Sequence, residues 1–150
     1  MIPHDTASRI FNAMTGRTSY TAPSTVYFGY CQNEPSASNG AISGEPNDGY
    51  YERLKIKTSV ENYFGQASGG YIVNTEEIRM PCAQVAQGTQ NWFFLSESSG
   101  GNAFLYGPIV HKDKSTGEYK QGLTIGEETI PVFYKGTLRA SLDVALPPRP

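Results

Sequence analysis

The spacing of apolar residues changes near residue 25, and the change predicts one helix followed by strands. Four apolar residues ahead of this point follow the spacing of one helical face: Ala7, Ile10, Phe11 and Met14. Asp5 is predicted to cap this helix and Gly16 to end it, which gives a short helix over about residues 5–16. We expect the Phe11 face to pack on protein, either the body of the chain or a neighbour, because its apolar stripe is too wide for an exposed helix.

Beyond residue 25 the period is that of β-strands. Residues 26–31 form an almost continuous apolar run, which predicts a largely buried strand. Residues 52–58 alternate, with apolar side chains on one face and basic ones on the other: Leu54 and Ile56 against Arg53, Lys55 and Lys57. Residues 137–144 alternate in the same way, with four apolar side chains on one face: Leu138, Ala140, Leu142 and Val144.

Two aromatic-rich runs, residues 91–96 and 103–110, are predicted to pair as a β-hairpin across the loop 97–102. Gly100 and Gly101 are expected at its tip, at least one of them with positive φ, because glycine adopts that conformation without steric cost.

The composition favours a β fold over a helical bundle. Gly (16), Pro (10) and Tyr (10) are frequent, and charged residues make up only 17% of the 150-residue chain. We therefore predict a mainly β, antiparallel β-sandwich-like single domain over residues 1–150, with one short N-terminal helix and a Pro-rich tail at 147–150.

The charge pattern limits the classes of partner. A net charge of −2 and a pI near 5.7 provide no basic field for nucleic acid. No apolar stretch approaches the roughly 20 residues of a bilayer-spanning helix, so we expect a soluble protein with no membrane partner. Cys31 and Cys82 have no CxxC-type spacing and are predicted to be buried, reduced thiols rather than a disulfide.

The residues that could perform catalysis do not form a recognisable motif. His4 and His111 have no nucleophile at motif spacing and are predicted to be surface residues. The pairs at 76–77 and 127–128 place neighbouring glutamates on opposite faces of a strand, so the two members of one pair cannot act together on a glycosidic bond. A glutamate of one pair could still meet a glutamate of the other pair in the fold, but exposed solubilising residues are the expectation. We predict no enzyme activity, no catalytic residues, no cofactor and no metal ligands.

The segment 32–48 carries turn residues and few apolar ones, which predicts a long surface loop. A calcium site at Glu45, Asn47 and Asp48 is conceivable from their oxygen ligands, but a solvated loop is the expectation. Such a loop could act as a contact arm that orders only on a partner. We assign interaction roles to four residues because aromatic and Arg side chains dominate protein contacts: Phe11, Tyr50, Tyr51 and Arg53.

Seven segments resemble, in order, a family of small virion proteins of tailed phages: SRIFNAMTG (8–16), TSYTAP (18–23), TVYFGYC (25–31), NDGYYER (47–53), IRMP (78–81), GGNAFLYG (100–107) and GEETIPVFYKGTLRASLD (126–143). Members of this family are labelled tail-fibre-like or minor structural proteins. The resemblance spans roughly residues 5–144 and brings no catalytic residues with it.

The resemblance implies a non-enzymatic bacteriophage virion protein, assembled in the bacterial cytoplasm, that docks on the capsid or tail as a decoration or fibre-like component. Its partners would be capsid or tail structural proteins, and it would form a homo-oligomer or a symmetric array on the particle. The alternative hypothesis is a carbohydrate- or host-receptor-binding module, because the ten tyrosines could stack on sugars.

Overall fold

The computed structural model describes residues 1–58, 63–141 and 143. Within these residues one helix precedes twelve short strands. They are α1 (His4–Met14), β1 (Thr25–Cys31), β2 (Leu54–Lys57), β3 (Tyr71–Val73), β4 (Ile78–Arg79), β5 (Gly88–Gln90), β6 (Trp92–Ser96), β7 (Ala103–Pro108), β8 (Val110–Lys112), β9 (Tyr119–Gln121), β10 (Leu123–Ile125), β11 (Val132–Phe133) and β12 (Arg139–Ser141). The predicted mainly β, antiparallel fold with one helix is confirmed for this part of the chain.

A four-stranded antiparallel sheet in the order β2-β1-β6-β7 forms the centre of the fold. The predicted hairpin is present, since β6 pairs with β7 across the loop 97–102. The remaining strands pair as four antiparallel two-stranded ribbons: β5 with β10, β4 with β11, β3 with β12, and β8 with β9.

Side chains are buried on both faces of the central sheet. On one face Phe28 stacks at 6.2 Å on Phe93, and the Phe133 ring of a ribbon lies 5.3 Å from Phe28, edge on. The same apolar cluster includes residues of three further ribbon strands: Ile78, Ile125 and Ala140. The ribbons therefore serve as the second layer over the sheet, because their apolar residues share one core with it.

On the other face a smaller cluster joins β1, β6 and β7: Cys31, Phe94, Ala103 and Tyr106. The partly buried Met1 and Ile42 pack against it, so the N-terminus and the loop 32–48 cover this face. Burial on both faces explains why β6 reads as a continuous apolar run rather than an alternating one.

The predicted cap of α1 is wrong. The helix begins at His4, its N-cap is Pro3, and no side chain caps it, so Asp5 lies in the first turn. The N–H groups of His4 and Asp5 donate instead to the carbonyls of Ala37 (2.9 Å) and Ser38 (3.0 Å). These contacts satisfy two of the N–H groups at the start of the helix that have no partner within it. At the other end, Gly16 has φ +71 directly after the C-cap Thr15, as predicted for a helix stop.

Gly100 and Gly101 lie in the hairpin loop as predicted, but the predicted positive φ is wrong, because neither glycine has one. The loop of six residues turns without a left-handed residue, and a bond from Gly101 N to Ser98 O of 3.3 Å closes the turn within it. A tight two-residue turn would have required positive φ, but a wider loop does not.

The alternating segments follow their predicted pattern where the structure describes them. Ile56 is buried and Leu54 is half-buried, while Lys55 and Lys57 are exposed. Leu138 and Ala140 are likewise buried. The predicted positions of Leu142 and Val144, and the Pro-rich tail, lie outside the described residues. No helix in the described ranges has the length and apolar character to cross a membrane.

Both cysteines are free thiols. Cys31 is buried as predicted, and its Sγ donates to the carbonyl of Asn33 at 3.1 Å. Burial raises the pKa of this thiol to about 12, so it is protonated and unreactive at neutral pH. Cys82 is half-buried rather than buried.

Candidate docking surface

The C-terminal end of α1 and the connector that follows it form an exposed segment, residues 11–24, which we call the arm. Phe11 and Met14 are 56% and 76% exposed, and Tyr20 is also exposed. The connector 15–24 contains neither helix nor strand, and almost all of its residues are exposed. The arm thus presents several large apolar side chains to the solvent.

The amphipathic pattern of α1 explains this exposure. Thr6 and Ala7 are buried and Ile10 is partly buried, so the first turns of the helix pack on the body of the chain. Phe11 and Met14 continue the same stripe beyond the surface that covers it. The prediction that the Phe11 face packs on protein therefore does not hold within this chain, which leaves a neighbouring molecule as its candidate partner.

The arm is attached to the body at both ends. Near the helix, the guanidinium of Arg9 lies 5.7 Å from the ring centroid of Tyr20. Within the arm, the N–H of Arg17 donates to Asn12 O at 2.8 Å. At the other end, Thr58 donates from its backbone N–H to Ser24 O (3.1 Å) and from its hydroxyl to Pro23 O (3.0 Å). These contacts hold the arm in place without covering its apolar side chains.

Tyr50 and Tyr51, two predicted contact residues, have different environments. Tyr50 is exposed. Tyr51 is half-buried, its ring packs edge on at 5.0 Å against Tyr30, and its hydroxyl accepts the backbone N–H of Tyr30 at 3.2 Å. Burial, together with the nearby Glu45 carboxylate, raises the pKa of Tyr51 well above its usual value. Tyr50 remains a candidate contact residue, whereas Tyr51 packs inside the protein against Tyr30.

Arg53 does not face the solvent as predicted, since its side chain is only 5% exposed. Its Nε and Nη2 donate to the two carboxylate oxygens of Glu45, each at 2.7 Å. Its Nη1 donates to three oxygens of the hairpin tip: Ser96 Oγ (2.9 Å), Ser98 O (3.1 Å) and Gly101 O (2.7 Å). The guanidinium also lies 4.8 Å from the ring centroid of Phe94. Arg53 is therefore a buried junction, in the sense that it links the loop 32–48 to the β6–β7 hairpin, and it is not an exposed contact residue.

The long loop 32–48 lacks regular structure as predicted, but its own contacts hold it against the body. Its start and end are paired by a bond from Gln32 N to Gly44 O of 3.1 Å. Asp48 Oδ1 accepts the N–H groups of Tyr50 and Tyr51, each at 2.8 Å, and these bonds hold the pKa of the Asp48 carboxyl below its usual value. Such contacts do not fit the prediction that the loop 32–48 becomes ordered only when it binds a partner.

Two of the three conceivable calcium ligands, Glu45 and Asp48, have other partners. The Glu45 carboxylate is paired with Arg53, and Asp48 Oδ2 accepts Gln87 Nε2 at 3.1 Å. Across residues 1–58, 63–141 and 143, no group of three His, Cys, Asp or Glu side chains lies close enough to hold a metal ion. Of the two histidines, His4 begins α1 and His111 lies on β8.

A polar cleft that sequence reasoning missed lies between α1, the loop 32–48 and the tip of the β6–β7 hairpin. Its volume is about 240 Å³. Most of the residues that line it are polar, and one half-buried aromatic residue joins them: Asp5, Arg9, Asn39, Glu97, Asn102 and Phe104. These residues come from three separate stretches of the chain, so no local motif indicated the cleft.

The comparison with known families places the chain among bacteriophage fibre proteins. The family model that it matches is described as podophage GP4 fiber I protein gp80, and the match covers residues 4–121. The chain therefore belongs to this family, which confirms the resemblance to phage virion proteins and supports a structural role in the particle. No curated protein matches the chain.

Proposed function

We propose that this protein docks on structural proteins of the phage capsid or tail as a fibre-like or decoration component, and that the arm is its main contact. The observation that carries the proposal is the exposure of Phe11 and Met14 on a helix whose apolar stripe continues from the body. Exposed apolar side chains grouped on one element are a feature of protein interaction sites. Membership of a phage fibre family supports a partner within the particle.

The composition of the arm fits a protein partner. Residues 11–24 contain one charged residue, Arg17, so little charge must be desolvated when the arm is covered. Phe11, Met14 and Tyr20 belong to residue types that are enriched at protein interfaces. Because stable interfaces bury about 1,200–2,000 Å² in total, the arm would contact its partner together with neighbouring surface of the body.

The proposal includes two further points from the sequence. The protein acts without catalysis, which predicts no loss of viscosity when the purified protein is incubated with host polysaccharide. It also binds in several copies, because the symmetry of a phage particle repeats each docking site. Counting its copies in an averaged density map of the intact particle tests the second point.

The docking role predicts that polar substitutions in the arm weaken attachment to the particle. Phe11→Gln combined with Met14→Gln keeps residues that tolerate a helix but removes the apolar contacts. We expect at least about tenfold weaker co-sedimentation with particles lacking the protein, since truncating a buried anchor at an interface typically costs about 1–2 kcal/mol or more of binding free energy. The melting temperature should stay within about 2 °C of the wild type, because both side chains are exposed in the free protein.

Tyr119→Gln is the matched control, because Tyr119 is 75% exposed on β9, outside the arm. Its co-sedimentation should equal that of the wild type. Equal attachment of the double arm variant and the wild type would exclude the arm as the docking site. If folded wild-type protein does not co-sediment at all, docking on the particle is itself wrong.

The alternative role is binding of a carbohydrate or host receptor. Tyr51 does not support it, because its ring packs against Tyr30 and is not available to stack on a sugar. The polar cleft is the observation that favours it, because the side chains that line it can bind hydroxyl groups.

A further inference from the structure

We infer that the polar cleft between α1, the loop 32–48 and the hairpin tip is a binding site for one neutral sugar unit of a larger glycan. This inference concerns a different surface from the arm and does not depend on docking. It rests on the chemistry of the lining, the rigidity of the walls, the charge of the site and its size.

The lining offers the groups that bind adjacent hydroxyls. Asp5 contributes a carboxylate that accepts hydrogen bonds, and Asn102 contributes an amide that both donates and accepts. Asn39 contributes mainly its amide donor, because its Oδ1 already accepts the N–H of Ala41 at 3.1 Å. A sugar hydroxyl also both donates and accepts, so such a mixed set can satisfy it. Phe104, a half-buried residue that lines the cleft and also packs against the larger core cluster, provides an apolar surface for the C–H face of a pyranose.

Hydrogen bonds within the protein hold the walls of the cleft in place before any ligand binds. The start of α1 is tied to the loop by the bond from Asp5 N to Ser38 O of 3.0 Å. The loop is tied to β7 by the bond from Ala103 N to Gly40 O of 2.8 Å. Arg53 holds the hairpin tip through Gly101 O. A preformed site loses less conformational entropy on binding than a mobile one.

The charge of the cleft favours a neutral ligand over an acidic one. Arg9 Nη1 and Glu97 Oε1 form an ion pair at 2.8 Å, so these two charges compensate each other. Asp5 is then the remaining charged side chain among those that line the cleft. A second carboxylate brought in by an acidic sugar would be repelled by it.

The size of the cleft points to a single sugar unit. Its volume of about 240 Å³ lies below the range of about 300–1,000 Å³ that is typical of sites for drug-sized ligands. A ligand of this size that makes a few hydrogen bonds typically binds with a millimolar Kd. Tight attachment to a glycan would then require several copies of the protein bound at once.

NMR titration of the full chain tests the inference. The probes are the methyl glycosides of glucose, galactose and mannose, together with N-acetylglucosamine and, as the acidic probe, glucuronic acid. We expect at least one neutral probe to shift the amide resonances of Gly101, Asn102 and Phe104 with a millimolar Kd. Glucuronic acid should bind at least about fivefold more weakly than that probe because of Asp5.

Two variants assign the binding to the cleft. Asp5→Ala and Asn102→Ala should each weaken binding of the neutral probe about fivefold or more through loss of a hydrogen bond. Asn47→Ala is the matched control, because Asn47 is exposed and does not line the cleft. Melting curves of all three variants establish that they are folded.

Three outcomes overturn the inference: none of the neutral probes shifts the cleft resonances, glucuronic acid binds as well as the neutral probes, or folded Asp5→Ala and Asn102→Ala bind as well as the wild type. The docking proposal is tested separately, because the cleft variants should co-sediment with particles like the wild type. Conversely, the double arm variant should bind the sugar unchanged.

Discussion

Replacing Arg53 with Met is expected to lower the free energy of unfolding by about 3–5 kcal/mol, the usual cost of breaking a buried ion pair from one side. The side chain of Arg53 is 5% exposed, and its guanidinium bonds to Glu45, Ser96, Ser98 and Gly101. Methionine fills much of the space but removes the charged partner of the Glu45 carboxylate and the guanidinium that bonds to the hairpin, although Ser98 O still accepts the N–H of Gly101. In urea denaturation the midpoint should shift by roughly 2 M for a domain of this size.

Two variants separate the effect of the lost ion pair on stability from the effect of the lost side-chain volume. Arg79→Met removes an ion pair with Glu77 in which the arginine side chain is 65% exposed, and we expect a loss of at most about 1 kcal/mol. Glu45→Gln combined with Arg53→Met should lose less stability than Arg53→Met alone, because no partly buried carboxylate is left unpaired. A loss for Arg53→Met that is no larger than that for Arg79→Met would contradict the role of Arg53 as a junction.

Arg53 also marks the limit of what local sequence patterns predict. Alternation in residues 52–58 correctly gave the faces of Leu54 and Ile56 but assigned Arg53 to the solvent. The partners that bury it lie 8 residues earlier and 43 to 48 residues later in the chain. No periodicity carries such information, because a charged side chain can be buried wherever distant groups supply its hydrogen bonds.

Local sequence patterns also failed to predict the start of α1 and the cleft. The pattern of α1 predicted its extent and its end at Gly16, but the carbonyls of Ala37 and Ser38, which belong to a distant loop, took over the role assigned to Asp5. The cleft is assembled from α1, this loop and the hairpin, so it appears only in the folded chain. By contrast, β1 and the hairpin were predictable because their signals are contained in short continuous runs.

The second large effect is expected at Gly40, in the loop that forms one wall of the cleft. Gly40 has φ +72, and a Cβ placed on it would lie 1.9 Å from Ala103 O and 2.9 Å from Cγ of Pro3. Ala103 O belongs to the backbone of β7, so no rotation of a side chain relieves this contact. The loop would have to move away from β7, which would break the bond from Ala103 N to Gly40 O.

Gly40→Ala should therefore lower the free energy of unfolding by about 2–5 kcal/mol, the sum of left-handed strain and overpacking. Gly49→Ala measures the left-handed strain alone, because Gly49 has φ +79 but no atom within 4 Å of its Cβ position. We expect that control to lose only about 1 kcal/mol. Urea denaturation of both variants measures the difference, which reports how closely the loop packs on β7. If the two alanine variants lose the same stability, the loop does not pack on β7 closely enough to form a fixed wall of the cleft.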